Sequence, residues 1–180
     1  MWWKDTFFNS NFFTGTVTFV VGLFAIILYF RQKNDRKRDA AKLILQEIRY
    51  AEQIIRIAKE HNYDYYLANE LLPTNSWHKN IHFFIHELKE TDIDLVSRFY
   101  SHSSYIDILI EKISDKKNDL VILKNPPETN SSAVPQTIQE FHFSSSRILK
   151  DVSEKVEFIY NTPAIDKLRS ISEKKYFKFL

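Results

Sequence analysis

The chain of 180 residues contains no cysteine, which excludes disulfides and thiolate metal sites and fits a cytosolic setting for its polar part. It has only two glycines, Gly15 and Gly22, and both lie inside one apolar run. The rest therefore lacks the Gly-rich phosphate loops, nucleophile elbows and dinucleotide turns that need glycine backbone. A net charge of +2 leaves no excess for a broad duplex-binding surface. Turn residues are sparse and periodic stretches are long, which predicts an all-helical fold with one domain behind the run.

What is present begins with that run. Residues 12–30 form nineteen consecutive uncharged positions, a helix of about 28 Å against the ~30 Å hydrocarbon core of a bilayer. Residues 31–42 follow with Arg31, Lys33, Arg36, Lys37, Arg38 and Lys42 against Asp35 and Asp39, a local excess of +4 (six minus two). The positive-inside rule keeps such a flank in the cytoplasm, so residues 1–11 are expected outside and the remainder inside a bacterial inner membrane. Residues 1–11 have no clear positive region and no small-x-small site follows the run, so a retained span is expected rather than a cleaved leader. Trp2, Trp3 and Tyr29 suit the two interfaces.

The span is expected to continue unbroken into a cytosolic helix to residue 61, where Ala41, Ile44, Ile48, Ala51, Ile55 and Ala58 recur at three and four and mark one buried stripe. Beyond it, 62–180 reads as a helical domain. Residues 63–72 read as a short helix or turn. Ser76 is placed to cap a helix over 77–89, and Thr91 one over 92–124 with a break near 101–104. A loop is expected at 125–136, a helix over 136–160, and a last helix from Pro163 to about 176.

Gly15, Thr18, Gly22 and Ala25 share one side of the span, a small-residue face on which membrane helices approach closely. Asn11, Thr14 and Thr18 lie on nearly the same side and can face water in a ring of helices. The alternative is that the threonine hydroxyls bond back to their own helix. One span cannot enclose a pore, so conduction requires a homo-oligomer.

Arg56 and His61 give Arg-x-x-x-x-His, which resembles the R-x(4–6)-H signature of HEPN domains, small all-helical modules common in RNA-cleaving defence and toxin proteins. The resemblance implies a His that moves a proton and an Arg that holds a phosphate across a dimer. Ile57 departs from the polar residue usual after the Arg. The alternative is a structural Arg and a His favoured by the negative end of the helix dipole. Together the span, basic junction and helical remainder resemble the small membrane accessory proteins of type VI-B CRISPR-Cas systems. That resemblance implies a homo-oligomeric pore that permeabilises the membrane in antiphage defence after an RNA-guided nuclease fires, with direct RNA binding left open.

His78, His82 and His86 fall at i, i+4 and i+8, extended by Glu90 and Asp94. The reading taken is neutral histidines on a solvated or subunit-facing side, with a zinc site and a pH-responsive face as alternatives. Ser144, Ser145 and Ser146 near His142 lack the strained turn of an acyl-transfer nucleophile. The tail 174–180 alternates basic and aromatic residues and suits a neighbouring subunit or the inner leaflet as well as a frayed end. The expectation is a non-enzymatic, cofactor-free membrane protein whose partners are itself and the bilayer; the rivals are a tethered HEPN-type ribonuclease and a tethered adaptor that conducts nothing.

Overall fold

The structure is a computed structural model and describes residues 11–63, 70–122 and 134–174, with side chains over 13–63, 70–119 and 139–174. Among the described residues every regular element is helical. The expected turn at 63–72 falls mostly outside them, as does most of the expected 125–136 loop and the tail beyond Lys174.

Helix α1, Asn11–Glu60, runs fifty residues without a break, about 75 Å of rod. The expected continuation of the apolar run into a second, polar half is found. All six residues of the expected stripe are at most 2 % exposed. The helix closes without glycine. Asn62 takes a left-handed φ of 54°, and the Tyr63 amide donates to the Ala58 carbonyl at 2.5 Å. Asparagine tolerates this conformation because its short polar side chain carries less penalty there than others.

The expected helix over 77–89 is not formed. Helix α2 covers only Ser76–Asn80 and passes into a 3-10 turn at Ile81–Phe83. Asn80 Nδ2 donates to the Ser76 carbonyl at 2.8 Å, a side-chain bond that competes with helix propagation. Nor does Ser76 cap: its amide and hydroxyl both go to Glu47. The stop leaves Trp77 stacked on Phe84 at 6.1 Å and beside Tyr100, all three buried.

Helix α3, Glu90–Ile122, begins one turn position before the expected Thr91 cap. The Lys89 carbonyl receives the Asp92 and Ile93 amides, and the Asp92 carboxylate reaches back to the Lys89 N–H at 3.3 Å, one half of a capping box. The expected break near 101–104 is absent, because Ser103 rides the buried stripe of Val96, Tyr100 and Ile106. Helix α4 is Val134–Ser153 rather than 136–160. It ends in a tightened turn, with the Lys155 and Val156 amides on the Val152 and Ser153 carbonyls, and beyond it the Ile159 and Tyr160 amides go to Glu52 rather than to a continued helix. Pro163 opens α5, Pro163–Glu173, as expected, though its end falls before 176.

Helix α5 starts beside Glu52, and its far end, Lys174, acts electrostatically on Glu87, which pairs with Lys37. It therefore runs antiparallel along α1. Helix α3 lies across from it, joined through the Lys167–Asp92 ion pair. The core stripe 40–58 of α1 is thus enclosed, while 14–32 of the same rod stands free of the domain.

Candidate functional site

The free half of α1 is the first candidate surface. One helix among the described residues is long and apolar enough to cross a membrane, and its apolar window is not buried at all. Phe19, Val21, Phe24, Ile27 and Leu28 are all more than half exposed. Soluble monomers rarely expose an apolar surface of that extent, which makes this segment a candidate membrane span. A Cβ added at Gly15 or Gly22 would meet nothing within 4 Å, so neither glycine is required by packing within one copy. Thr18 Oγ1 donates to the Thr14 carbonyl at 2.9 Å, the back-bonded alternative weighed for this face. Gly15, Thr18, Gly22 and Ala25 are exposed; the side chain of Asn11 lies outside the described residues.

At the junction the six basic residues divide, and Lys42 lies 3.8 Å from Asp39. Lys37 pairs with Glu87, and Arg38 reaches Asp35 at 3.4 Å and Asp39 at 3.7 Å. Arg31, Lys33 and Arg36 are exposed and form no ion pair among the described residues. At about 100° per residue Lys33 and Arg36 lie about 60° apart on one side of the rod and Arg31 faces away from both, a partial collar.

The second surface lies on the polar half of α1. Leu43, Tyr50 and Ile57 are 47 %, 42 % and 45 % exposed, and they recur every seven residues. Continued backwards, the same count meets Arg36, Tyr29, Gly22 and Gly15. Gln46, Gln53 and Glu60, also exposed, keep the count of Thr18 and Ala25. Seven residues fall about 20° short of two turns, so this line drifts around a straight helix and becomes one seam when parallel copies wind left-handed. Sequence reading found its portion in the apolar run and missed the rest, because a single apolar residue per two turns is below the density of a core stripe.

Three carboxylates staple irregular connections to the long helices, Glu47 and Glu52 from α1 and Asp107 from α3, and none of them was singled out by the sequence. Glu47 accepts the Thr74 amide at 2.9 Å and hydroxyl at 2.5 Å, the Ser76 amide at 2.8 Å and hydroxyl, and the Tyr100 hydroxyl at 3.0 Å. Asp107 accepts the Leu71 and Leu72 amides at 2.6 and 3.1 Å, and Glu52 those of Ile159 and Tyr160 at 2.6 and 2.8 Å. Each satisfies two amides of an irregular connection, which would otherwise be buried unpaired. Burial pushes the Glu47 carboxyl up, but the Ser76 and Thr74 bonds outweigh it and hold it below the ordinary carboxylate range. At Asp107 burial prevails over its two amide bonds, with Glu70 adding to it, and the carboxyl is raised. Burial pushes the Tyr100 hydroxyl up, and the Glu47 charge adds to that. A carboxylate filled by five donors has no lone pair free for a substrate proton, so Glu47 is a staple and not a base.

Arg56 and His61 do not form a joint site within one copy. Five residues of helix put them about 140° apart. The Arg56 guanidinium lies over the Phe158 ring at 5.7 Å, and the His61 amide donates to the Ile57 and Ala58 carbonyls at the end of the helix. His78, His82 and His86 do not share one helical face, since the helix that would align them ends at Asn80. His78 Nδ1 bonds Asn75 Oδ1 at 2.7 Å, and the His82 ring lies on Phe83 at 4.0 Å. Among the described residues no group of three or more His, Asp or Glu is placed to hold a metal.

A cleft of about 810 Å³ opens between the 72–75 strap, α3 and α4. Glu70, Asp107, Glu111 and Asp115 line it with Lys79 and Ser145. Ser145 spends its hydroxyl proton on the Phe141 carbonyl at 2.7 Å, so no activated nucleophile faces the cleft from there. No protein-family model matches this chain, and neither does any curated protein or solved structure.

Proposed function

We propose that this chain is a single-span membrane protein whose α1 rods associate in parallel, and that the assembly permeabilises the bilayer. The observation that carries the reading is the seven-residue line along α1, in which the small span residues Gly15 and Gly22 and the exposed apolar residues Leu43, Tyr50 and Ile57 fall in one register. Chains inserted with the same topology present parallel rods, so close approach at the span brings the same line together above it. By the positive-inside rule the collar and domain lie in the cytoplasm of a bacterial inner membrane.

The test is reconstitution into dye-loaded vesicles. The parent chain is expected to release dye and to run as a defined oligomer in detergent. Gly22→Leu leaves the fold of one copy unchanged, because the added side chain starts in open space, and lowers both oligomer order and release. An unchanged assembly sinks the seam. A second reading, a tethered adaptor without conductance, is favoured by the Thr18–Thr14 bond, which turns a hydroxyl proton away from any lumen. Oligomers that release no dye support it.

The place in antiphage defence beside an RNA-guided nuclease belongs to the same proposal and rests on the resemblance of the architecture. Its test is phage challenge of cells carrying the nuclease with and without this chain, scored by membrane depolarisation. Replacing Arg56 and His61 together by Ala separates off the ribonuclease rival: lost RNA cleavage supports the rival, while intact permeabilisation supports the pore.

A further inference from the structure

Two contacts fix which end of the domain meets the bilayer. Lys37 lies seven residues past Phe30, about 10 Å along the rod. The interfacial layer beside the hydrocarbon is roughly 5–8 Å deep. Helical side chains lean toward the N-terminus, so the Lys37 ammonium points back toward the lipid. Glu87 is held on it, and Lys174 at the end of α5 is close enough to act on the same carboxylate. The connection 84–88 and the end of α5 therefore sit at the outer edge of the headgroup layer. Ile85 is 52 % exposed there, between buried Phe84 and Leu88. The exposed cations at this level are Arg31, Lys33, Arg36, Lys89 and Lys174, with His82 and His86 beside them; the exposed acids are Asp39, Glu90 and Glu173, besides the engaged Glu87 and the half-exposed Asp35, and Asp35 and Asp39 are taken up by Arg38.

We propose that the 84–88 connection is a second membrane contact: it rests on anionic phospholipid headgroups, with Ile85 dipping into the interface and Arg31, Lys33, Arg36 and Lys174 on headgroup phosphates. The claim rests on the reading of α1 as a membrane span. Partition of one aliphatic residue is weak alone, and the surrounding cations supply the rest; juxtamembrane basic residues each add attraction to an anionic surface that fades within a Debye length. Two attachments, the rod and this edge, set the tilt of the domain. A rod alone would leave it free to lean.

The cysteine-free chain makes the test direct. Single substitutions Phe24→Cys, Ile85→Cys and Lys59→Cys are spin-labelled in the full chain, reconstituted in bilayers with and without phosphatidylglycerol. Collision with lipid-soluble oxygen and with a water-soluble nickel chelate then reports depth. The expected result is oxygen contact at 24, nickel contact at 59, and interfacial protection at 85 that appears with phosphatidylglycerol. Each removal of a cation, Arg31→Gln, Arg36→Gln or Lys174→Gln, should lower the docked fraction roughly fivefold. A label at 85 as open to nickel as that at 59, with 24 in lipid, overturns this inference and leaves the span intact. A label at 24 in water overturns both.

Discussion

The two halves of α1 are one helix made for two different surroundings. Residues 14–32 are exposed around the whole rod, and their apolar composition has no face. Residues 40–58 have one face at or near full burial and another open. In the first half every backbone bond is internal and the side chains need nothing from the domain, which is the condition for a segment surrounded by lipid. In the second, stability comes from packing of an amphipathic stripe. Similar side chains thus serve opposite ends. Ile27 at 61 % exposed and Ile48 at 0 % differ only in what lies beside them.

Truncation is the harshest way to break the comparison. Ile48→Ala leaves a cavity where α5 and the 71–77 segment close on α1 and should cost about 3 kcal/mol of domain stability. Val21→Ala, on the free half, should change it by less than about 0.5 kcal/mol. Denaturant unfolding of both variants in the same detergent, followed by Trp77 fluorescence, checks the pair. Comparable losses would mean that residues 14–32 are packed as tightly as the domain core, and would break the comparison.

Glu47→Gln comes next, with an expected loss of about 2 kcal/mol, because the Ser76, Thr74 and Tyr100 donors lose a charged acceptor. Its pH behaviour has a definite sign. The carboxyl is held below its ordinary value in the folded state, so its stabilisation is complete above the unfolded carboxylate pKa and is lost as pH falls through the lower folded value. Unfolding of the parent between neutral and acid pH should therefore steepen at the acid end, and Glu47→Gln should flatten that limb. An unchanged limb would locate the acid sensitivity elsewhere, with Glu87 and Asp92, both lowered mainly by their lysine partners, as the next candidates.

The apolar register was the most legible part of the sequence. The run 12–30, its continuation as helix and the stripe from Ala41 to Ala58 follow from residue type at fixed spacing, and the periodicity of a long helix is robust. Helix ends were less legible. Ser76 reads as a cap, and is instead a donor to a carboxylate twenty-nine residues earlier. The helices expected over 77–89 and 136–160 both stop short, and a local amide or a distant carboxylate claims the backbone there or just beyond. The staples could be sought only through register. Glu47, Glu52 and Asp107 fall on or beside buried stripes of their helices, where a solvated acid has no place; that conflict is the signal for a carboxylate with internal donors. The partner amides, in irregular connections far along the chain, leave no periodic trace.

The smallest effect sharpens the comparison between staples rather than between halves of the rod. Asp107 holds the Leu71 and Leu72 amides much as Glu47 holds those of Thr74 and Ser76, yet its carboxyl is raised by burial where that of Glu47 is lowered. Two amide donors do not offset its desolvation, with Glu70 adding repulsion; the four bonds from Ser76 and Thr74 do so at Glu47. For a raised carboxyl the linkage reverses. Its contribution is full at low pH and erodes as pH rises from the unfolded value of 3.8 toward the higher folded one. Asp107→Asn removes the ionisation but keeps an oxygen for only one of the two amides and sets an NH2 group against the other, so stability at neutral pH should fall by about 1 kcal/mol. As pH rises above the unfolded carboxylate value its stability should gain on that of the parent, the direction opposite to Glu47→Gln. A loss as large as that of Glu47→Gln would show that the ionised form of Asp107 is what holds the strap, and that its two bonds outweigh its burial after all.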